Sequence, residues 1–218
     1  MYTALITAAG TGTRTRLPFN KIFYEIKGKP LIMYSVERFL ADADCEEIII
    51  VHAVADQTKM VALMKNIAAV KLTTGGQNRQ ESVYAGLKLA KGRYVLIHDG
   101  ARPNLKRANI EDLKKVLKEQ NAATLAIPVR DTLIRVENNL IGDHLDRETT
   151  YAVQTPQAFK TEEILKAHLL ANNSGMIYTD DTAVYLATFN KDVKIVLGDE
   201  ENIKATTKMD LSLLEALL

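Results

Sequence analysis

The chain has 218 residues, of which 47% are hydrophobic and 25% are charged, and 28 lysines and arginines nearly balance 27 aspartates and glutamates. This composition is that of an ordinary globular protein and excludes a disordered chain. A net charge of only +1 argues against broad electrostatic capture of nucleic acid or of an anionic membrane, so any anionic ligand must be held by a local cluster of cations.

The sequence also limits the setting in which the protein works. No apolar run reaches the roughly 18 residues needed to cross a bilayer, and residues 1–10 carry neither a basic leader nor a cleavage site. We therefore expect a cytoplasmic protein with no membrane partner and no nucleic-acid partner. Cys45 is the only cysteine, which excludes an internal disulfide and a cysteine-ligated metal cluster within one chain.

The first 128 residues alternate short β-branched runs with segments of helical spacing, which is the pattern of a parallel α/β sheet. Five strands are predicted, at 3–9, 47–52, 70–73, 94–98 and 123–128. Four helical segments separate them, one opening at Pro30 and the others around 60–67, 83–90 and 110–117. We expect these five strands to form the main sheet.

Residues 131–147 depart from this alternation. Apolar residues on both sides of Glu137-Asn138-Asn139 predict a hairpin rather than a crossover helix. We interpret about 131–153 as a protruding arm, which must pack on its own domain or on a second subunit because an isolated hairpin is marginal in water. Helices at 161–172, after 181 and at the C terminus, with a strand at 193–197, complete a single predicted domain over 1–218.

The first strand leads into residues suited to a polyanion. Ala8-Ala9-Gly10-Thr11-Gly12 is followed by Arg14 and Lys21. Glycines let backbone N–H groups approach phosphate oxygens, and cations balance the phosphate charge. Thr15 replaces the third glycine of a dinucleotide fingerprint, which disfavours a dehydrogenase. A nucleoside triphosphate site remains, with a surface loop of solvated cations as the alternative.

Two more segments lie at the predicted carboxyl edge of the sheet, where α/β proteins bind ligands. The segment from Gly76 to Ser82 precedes a helix, although a plain turn with a helix cap also explains it. Asp99 can hold Mg²⁺ or a sugar hydroxyl and Arg102 can hold a phosphate, unless the two form only a local ion pair. No Ser-His-Asp or Cys-His set indicates a covalent enzyme intermediate.

Eight segments, taken in order, resemble the family of 2-C-methyl-D-erythritol 4-phosphate cytidylyltransferases of the non-mevalonate isoprenoid pathway. The matching segments are Ala8-Ala9-Gly10-x-Gly12-x-Arg14 with Lys21, Gly75-Gly76-x-x-Arg79-x-x-Ser82-Val83, His98-Asp99-Gly100-Ala101-Arg102-Pro103, Pro128-Val129-Arg130-Asp131-Thr132, Asp146-Arg147, Gln154-Thr155-Pro156-Gln157-x-Phe159, Thr179-Asp180-Asp181 and Asn202-Ile203-Lys204. The resemblance covers nearly the whole chain. It implies an α/β fold with a Rossmann-like nucleotidyltransferase sheet, mostly parallel, and a protruding β-hairpin arm.

The resemblance also implies roles for individual residues. The residues that would bind CTP are Ala8, Ala9, Gly10, Gly12, Gly76, Arg79 and Ser82. The catalytic cations would be Arg14, Lys21 and Lys204. The methylerythritol phosphate would be held by Asp99, Arg102, Thr132, Arg147, Thr155 and Thr179, with Asp99 also a candidate ligand of the Mg²⁺ cofactor. In the family the arm reaches into a partner's site, so a homodimer is expected.

The implied reaction needs little acid–base chemistry. The phosphate of the substrate would attack the α-phosphorus of CTP, and pyrophosphate would leave in line. A phosphomonoester is mostly ionised at neutral pH because its second pKa is about 6, so no strong general base is required. Charge stabilisation and alignment by Mg²⁺ and fixed cations would supply the catalysis.

Two alternatives stay open. A ribitol 5-phosphate cytidylyltransferase of teichoic acid synthesis shares the CTP-binding segments and the arm, but Ala8-Ala9-Gly10 and Gly100-Ala101-Arg102 favour methylerythritol phosphate. A non-catalytic nucleotide-binding module is possible on the same fold, but the retained cations speak against it. Two departures from the family are Asn20, where many relatives have proline, and Tyr151, where tryptophan is common. The first can alter the entry geometry of the Lys21 loop.

Overall fold

The computed structural model describes residues 1–10, 13–15 and 17–218. Within those residues the chain forms eleven strands and seven α-helices. The strands are β1 (Tyr2–Ala8), β2 (Glu25–Ile26), β3 (Lys29–Pro30), β4 (Cys45–His52), β5 (Val70–Thr74), β6 (Tyr94–Asp99), β7 (Ala122–Pro128), β8 (Ile134–Glu137), β9 (Leu140–His144), β10 (Tyr151–Lys160) and β11 (Lys194–Leu197). The helices are α1 (Leu31–Leu40), α2 (Gln57–Met64), α3 (Arg79–Leu87), α4 (Arg107–Val116), α5 (Thr161–Ser174), α6 (Asp181–Phe189) and α7 (Lys208–Leu217).

Seven strands form the main sheet in the order β11-β7-β10-β6-β1-β4-β5. Strands β6, β1, β4 and β5 are parallel, β11 is parallel to β7, and β10 is antiparallel to both of its neighbours. Parallel neighbours require crossover connections, which the intervening helices supply. The predicted α/β class with a mostly parallel sheet is confirmed.

Helices cover both faces of this sheet. One face of β1 and β4 packs in the same apolar cluster as α1, α2 and α4, and the other packs with α3, α5 and α6. Because both faces are covered, β1 and β4 are nearly continuous apolar runs instead of alternating ones. A smaller cluster joins α7 to Leu31 and to the β2–β3 turn. No helix of the described residues is long and apolar enough to span a bilayer.

Residues 151–160 form strand β10, although no strand is predicted there, so this expectation is wrong. Polar residues from Gln154 to Gln157 interrupt the apolar pattern, and the register with β7 shifts there. Both glutamines are buried, and their amides donate to the Asp199 carbonyl at 2.9 Å and to Asp180 at 2.8 Å. These tertiary hydrogen bonds allow a polar segment to lie in the middle of the sheet.

The hairpin predicted in the arm is confirmed. Strands β8 and β9 pair antiparallel, and Asn138 and Asn139 connect them with φ angles of 50° and 63°. Two central residues at positive φ suit the right-handed twist of a two-residue hairpin turn, and asparagine tolerates this region. The C-terminal limit of the arm differs from the predicted one, because Tyr151–Val153 already pairs with β7 in the main sheet.

Candidate active site

A cleft of about 310 Å³ opens at the carboxyl ends of β1 and β6. Its lining brings together segments that are far apart in sequence: Thr7, Ala8, Ala9, Gly10, Asn20, Lys21, Ile22, Gly76, Gln77, Asn78, Arg79, Ser82, Asp99, Ala101 and Lys204. Both polar loops that follow these strands therefore face one cavity, as expected for the carboxyl edge of a parallel sheet.

Close packing of two loops shapes one wall of the cleft. A Cβ atom on Gly75 would come within 2.6 Å of both Ala9 Cβ and Ser82 Oγ, so only glycine fits between the end of β1 and the start of α3. The Gly76 N–H donates to Ser82 Oγ at 3.2 Å, and that hydroxyl donates to the Asn78 carbonyl at 2.8 Å. The loop before α3 is thus held by its own hydrogen bonds against the end of β1.

Asp99 lies among three cations on the floor of the cleft. Its carboxylate is 2.7 Å from Lys204 Nζ, 3.6 Å from Arg102 Nε and 3.8 Å from Arg79 Nε. Burial alone would raise the pKa of Asp99, but the charges of Lys204, Arg79 and Arg102 outweigh burial and hold that pKa well below its usual range. Asp99 is therefore an ionised carboxylate at neutral pH.

His98 and Thr155 support Asp99 from behind. The Asp99 N–H donates to Thr155 Oγ1 at 3.0 Å, and Thr155 Oγ1 is 3.1 Å from His98 Nδ1. Burial lowers the pKa of His98 to about 4, so its ring is neutral at pH 7. Since His98 Nε2 lies 3.0 Å from the Arg102 carbonyl, Nε2 carries the proton and Nδ1 accepts from the Thr155 hydroxyl.

Lys21 lines the cleft and begins a short 3₁₀ turn, Lys21–Phe23. Burial lowers the pKa of its amine, and the nearby charges of Lys204 and Arg14 lower it further. Asp99 and Asp210 oppose this shift but do not cancel it. A half-buried amine whose pKa is lowered by two neighbouring cations is a site that the negative charge of a polyphosphate would stabilise.

Arg79 is held by a buried carboxylate behind the cleft. Its Nη2 donates to Asp181 Oδ2 at 2.7 Å, and Asp181 also lies 3.1 Å from His168 Nε2. Asp181 and His168 are both fully buried. Burial would lower the pKa of Arg79, but the charges of Asp181 and Asp99 raise it. The guanidinium therefore stays charged while it bridges the sheet edge and α6.

The structure groups most of the predicted site residues in the cleft and separates others from it. The predicted residues that line the cleft are Ala8, Ala9, Gly10, Lys21, Gly76, Arg79, Ser82, Asp99 and Lys204. Arg102 and Thr155 contact Asp99 from outside the lining. The exposed residues Arg14, Thr132, Arg147 and Thr179 do not line the cleft, although the charge of Arg14 is close enough to lower the pKa of Lys21, and Gly12 falls outside the described residues. The roles assigned to all of them stay predictions.

Several residues that build the cleft were not selected from the sequence. Neither Asp181 nor His168 is among the predicted site residues, although both are fully buried and pair with each other. Buried Asn202 donates to the Thr155 carbonyl at 2.9 Å, and its own carbonyl accepts from Arg102 at 2.7 Å. These contacts cross up to about half of the chain, so no local pattern could reveal them. The one signal in the sequence is that Asp181 and Asn202 each belong to a segment that matches the family.

Asn20 shows how the chain accommodates its departure from the family pattern. Its φ of −63° and ψ of 126° lie in the extended region. That φ is within the range that a proline ring imposes. Asn20 thus adopts a backbone conformation that proline also adopts, and the expected change in entry geometry stays a prediction.

The donor set of the cleft suits a metal that shares its ligands with a nucleotide. Among the described residues no group of three or more His, Cys, Asp or Glu side chains can hold a metal ion. Mg²⁺ is usually bound through one or two carboxylates, with substrate phosphates and water completing its shell. Asp99, ionised and facing the cleft, fits the single-carboxylate form of such a site.

This fold, with cations gathered at the carboxyl edge of its parallel strands, places the chain in the Rossmann-like class of nucleotidyltransferases. A family model described as 2-C-methyl-D-erythritol 4-phosphate cytidylyltransferase matches residues 2–218. The chain belongs to this family. The family expected from the sequence is confirmed.

Curated relatives and solved structures agree with this assignment. The 2-C-methyl-D-erythritol 4-phosphate cytidylyltransferase of Bacillus velezensis is 39% identical over 221 residues, covering 100% of this chain and 95% of that protein. The protein of the same name from Bacillus licheniformis is 40% identical with the same coverage. The crystal structure of the Thermus thermophilus enzyme of this name has 30% identity and a TM-score of 0.83, covering 99% of this chain and 98% of that one.

Proposed function

We propose that this chain transfers the cytidylyl group of CTP to 2-C-methyl-D-erythritol 4-phosphate and releases pyrophosphate. The observation that carries the proposal is the convergence of Lys21, Lys204 and Asp99 on one cleft beside the glycine-containing loops, in a chain of this family. The family match does not favour ribitol 5-phosphate as the acceptor.

In this proposal the cations act on charge that develops during the transfer. An oxygen of the acceptor phosphate attacks the α-phosphorus, and the bond from that phosphorus to the bridging oxygen of pyrophosphate breaks. Lys21 stabilises the negative charge at the α-phosphate, and Arg14 and Lys204 add to the local potential. Burial and neighbouring cations lower the pKa of the Lys21 amine, and a bound anion acts in the opposite direction, so the nucleotide favours the protonated amine.

We also propose how the remaining residues contribute. The loops at Gly10 and Gly76–Ser82 hold the nucleotide, and Arg79 keeps the second loop against α6 through Asp181. Asp99, with Arg102 and Thr155 at its back, orients the acceptor. Mg²⁺ held by Asp99 and the nucleotide phosphates would neutralise phosphate charge. No side chain has to accept a proton from the nucleophile, because the acceptor phosphate is already ionised.

The test supplies the full chain with CTP, Mg²⁺ and either methylerythritol phosphate or ribitol 5-phosphate. We expect pyrophosphate and a CDP-linked product in equal amounts with methylerythritol phosphate, and far slower turnover with ribitol 5-phosphate. Product from ribitol 5-phosphate alone would overturn the acceptor, and product from neither would overturn the enzyme. Omitting Mg²⁺ in the presence of a chelator should abolish product formation.

We further propose a homodimer formed through the arm. The apolar side chains of Leu140 and Ile141 are 72% and 63% exposed, which is costly for a two-stranded hairpin without a packing partner. Thr132 and Arg147 are exposed on the arm and do not line the cleft of their own chain. A second copy of the chain that binds the arm would bury Leu140 and Ile141. The cleft of that copy would gain Thr132 and Arg147.

Subunit mixing tests whether the arm serves a partner's cleft. Lys21→Ala disables the cleft of its own protomer, and Arg147→Ala disables only the arm. If the arm acts across the interface, a mixed dimer has one intact site, so mixing two poorly active variants should restore activity. Activity equal to the average of the two variants, or a monomeric mass by light scattering, would contradict the arm-mediated dimer. We also propose a cytoplasmic location, where CTP is available, and recovery in a membrane fraction would contradict it.

A further inference from the structure

Asn20 makes more hydrogen bonds than its position in a loop requires. It is only 7% exposed, and its amide nitrogen donates to the Ala8 carbonyl at 3.2 Å and to Asp56 Oδ2 at 2.8 Å. Its amide oxygen accepts from the Ile22 N–H at 3.4 Å. The opposite orientation of the amide would set its oxygen against two acceptors, so this assignment is fixed by the surroundings.

The three partners of Asn20 belong to three different segments, and two of them, Ala8 and Ile22, line the cleft. Ala8 ends β1 and lines the cleft where the glycine-containing loop begins. Ile22 belongs to the 3₁₀ turn that Lys21 starts. Asp56 lies beyond β4 and directly before α2. The amide of Asn20 therefore connects the strand that leads to the nucleotide loop, the turn that carries the central lysine, and the start of α2.

Within the described part of the chain, the side chain of Asp56 accepts its hydrogen bond from Asn20 rather than from its own helix. Asp56 is the N-cap residue of α2, yet its side chain makes no capping hydrogen bond to that helix. Its Oδ2 instead accepts from Asn20, across 36 positions of sequence. An N-cap aspartate usually accepts a hydrogen bond from its own helix, but Asp56 accepts from the distant Asn20 amide instead. This hydrogen bond fixes the position of that amide.

We propose that Asn20 and Asp56 are positioning residues that fix Lys21 at the cleft. The inference rests on the proposed function, because its consequence is the placement of Lys21 against the α-phosphate. Neither side chain touches the reacting atoms in this account. The backbone N–H of Phe23 also donates to the Asn20 carbonyl, at 3.0 Å, so the residue holds the 3₁₀ turn at both its side chain and its backbone.

Single substitutions test the pair. Asn20→Ala removes all three side-chain contacts, and we expect kcat to fall about tenfold while KM for CTP changes much less, since a small misplacement of a reacting group is costly for the transition state. Asp56→Ala should give a similar but smaller loss. Asp56→Asn keeps an acceptor for the Asn20 amide, so its kcat should be closer to that of the wild type than the kcat of Asp56→Ala.

The chain offers a matched control for the loss of an amide-to-carboxylate hydrogen bond. Asn121 donates to Glu163 at 3.0 Å. Asn121 immediately precedes β7 and so lies at the amino ends of the parallel strands, whereas the cleft lies at their carboxyl ends. Asn121→Ala should leave kcat unchanged. An equal fall in kcat for Asn121→Ala and Asn20→Ala would overturn the inference, because it would reduce the effect to a general loss of stability.

A double-mutant cycle with Lys21 separates positioning from a merely structural role. If Asn20 acts through Lys21, Asn20→Ala should change the residual turnover of Lys21→Ala by less than about twofold, since the two effects are coupled. A full tenfold loss on top of Lys21→Ala would show that Asn20 acts independently and would overturn the inference. Wild-type-like kcat for Asn20→Ala would do the same.

Hydrogen exchange tests the tether without any substrate, so its outcome does not depend on the proposed reaction. The amides of Ile22 and Phe23 should exchange about fivefold faster in Asn20→Ala, as expected for the loss of one capping hydrogen bond. Unchanged exchange would overturn the inference even in an active enzyme. Faster exchange in a chain that makes no CDP-linked product would support the tether and overturn only the proposed function.

Discussion

Two arginine–aspartate ion pairs in this molecule differ in solvent exposure: one is largely buried and the other is exposed. Arg79 and Asp181 meet behind the cleft at 2.7 Å, with side chains 29% and 0% exposed. Arg135 and Asp143 meet across the arm hairpin at 3.6 Å, with side chains 62% and 70% exposed. Water screens the second pair and not the first, so only the buried pair can hold its residues in one arrangement.

The difference extends to the regions around the two pairs. The cleft is tied together by contacts between distant segments, such as Arg79 with α6, Asp99 with Thr155, and Arg102 with Asn202. The arm is held chiefly by the pairing of its own two strands and exposes most of its side chains. The cleft is therefore preorganised by contacts between distant segments of the chain, whereas the arm is stabilised chiefly by its own strand pairing.

Removing the charge of the buried pair should have a large effect on stability. Asp181→Asn leaves Arg79 without its main counter-charge, and we expect the free energy of unfolding to fall by about 3 kcal/mol, as for other broken buried pairs. Urea unfolding at pH 7 measures this. Asp143→Asn is the matched control in the arm, and equal losses for the two variants would refute the distinction between the regions.

Lowering the pH should reduce the free energy of unfolding through His98, which lies behind the cleft. Its pKa is lowered to about 4 by burial, whereas the unfolded ring protonates near its ordinary pKa of about 6.5. The unfolded state therefore binds the extra proton between these values, so stability falls as pH falls. From pH 7 to pH 5 this group should cost about 2 kcal/mol of unfolding free energy.

The arm supplies the control for this pH effect. His144 is exposed at the end of β9, so His144→Gln should leave the difference in stability between pH 7 and pH 5 unchanged. His98→Gln should reduce that difference. If the variant does not fold, the ring signals of His98 in the wild-type protein can be followed by NMR, and protonation near pH 6.5 would contradict the prediction.

The exposed pair of Arg135 and Asp143 should contribute least to the free energy of unfolding. Arg135→Ala removes a screened interaction between two flexible side chains, so we expect a change in the free energy of unfolding within about 0.5 kcal/mol. Chemical denaturation at a protein concentration low enough to keep the chain monomeric isolates this effect from any contact with a second copy. A loss above about 1 kcal/mol would indicate that the arm is internally braced after all.

The sequence allowed the alternating strands, the hairpin and the main ligand-binding loops to be predicted, because each has a local pattern. The pattern of β10 failed where Gln154 and Gln157 lie in the sheet, since partners in other segments satisfy them. The contacts of Asp181 and of Asn20 were missed for the same reason. Asp181 binds Arg79, which is 102 positions away, and Asn20 binds Asp56, which is 36 positions away. Local periodicity carries no information about such contacts.

The central claim is that cations gathered from distant segments act together on a nucleotide in one cleft, and Lys21→Ala tests it most directly. Turnover of CTP and methylerythritol phosphate should fall at least about 100-fold, as when a preorganised charge-stabilising group is removed. Lys118→Ala, an exposed lysine following α4, is the control and should retain full activity. Near-normal turnover in Lys21→Ala, with the protein folded and saturated with CTP, would contradict the account.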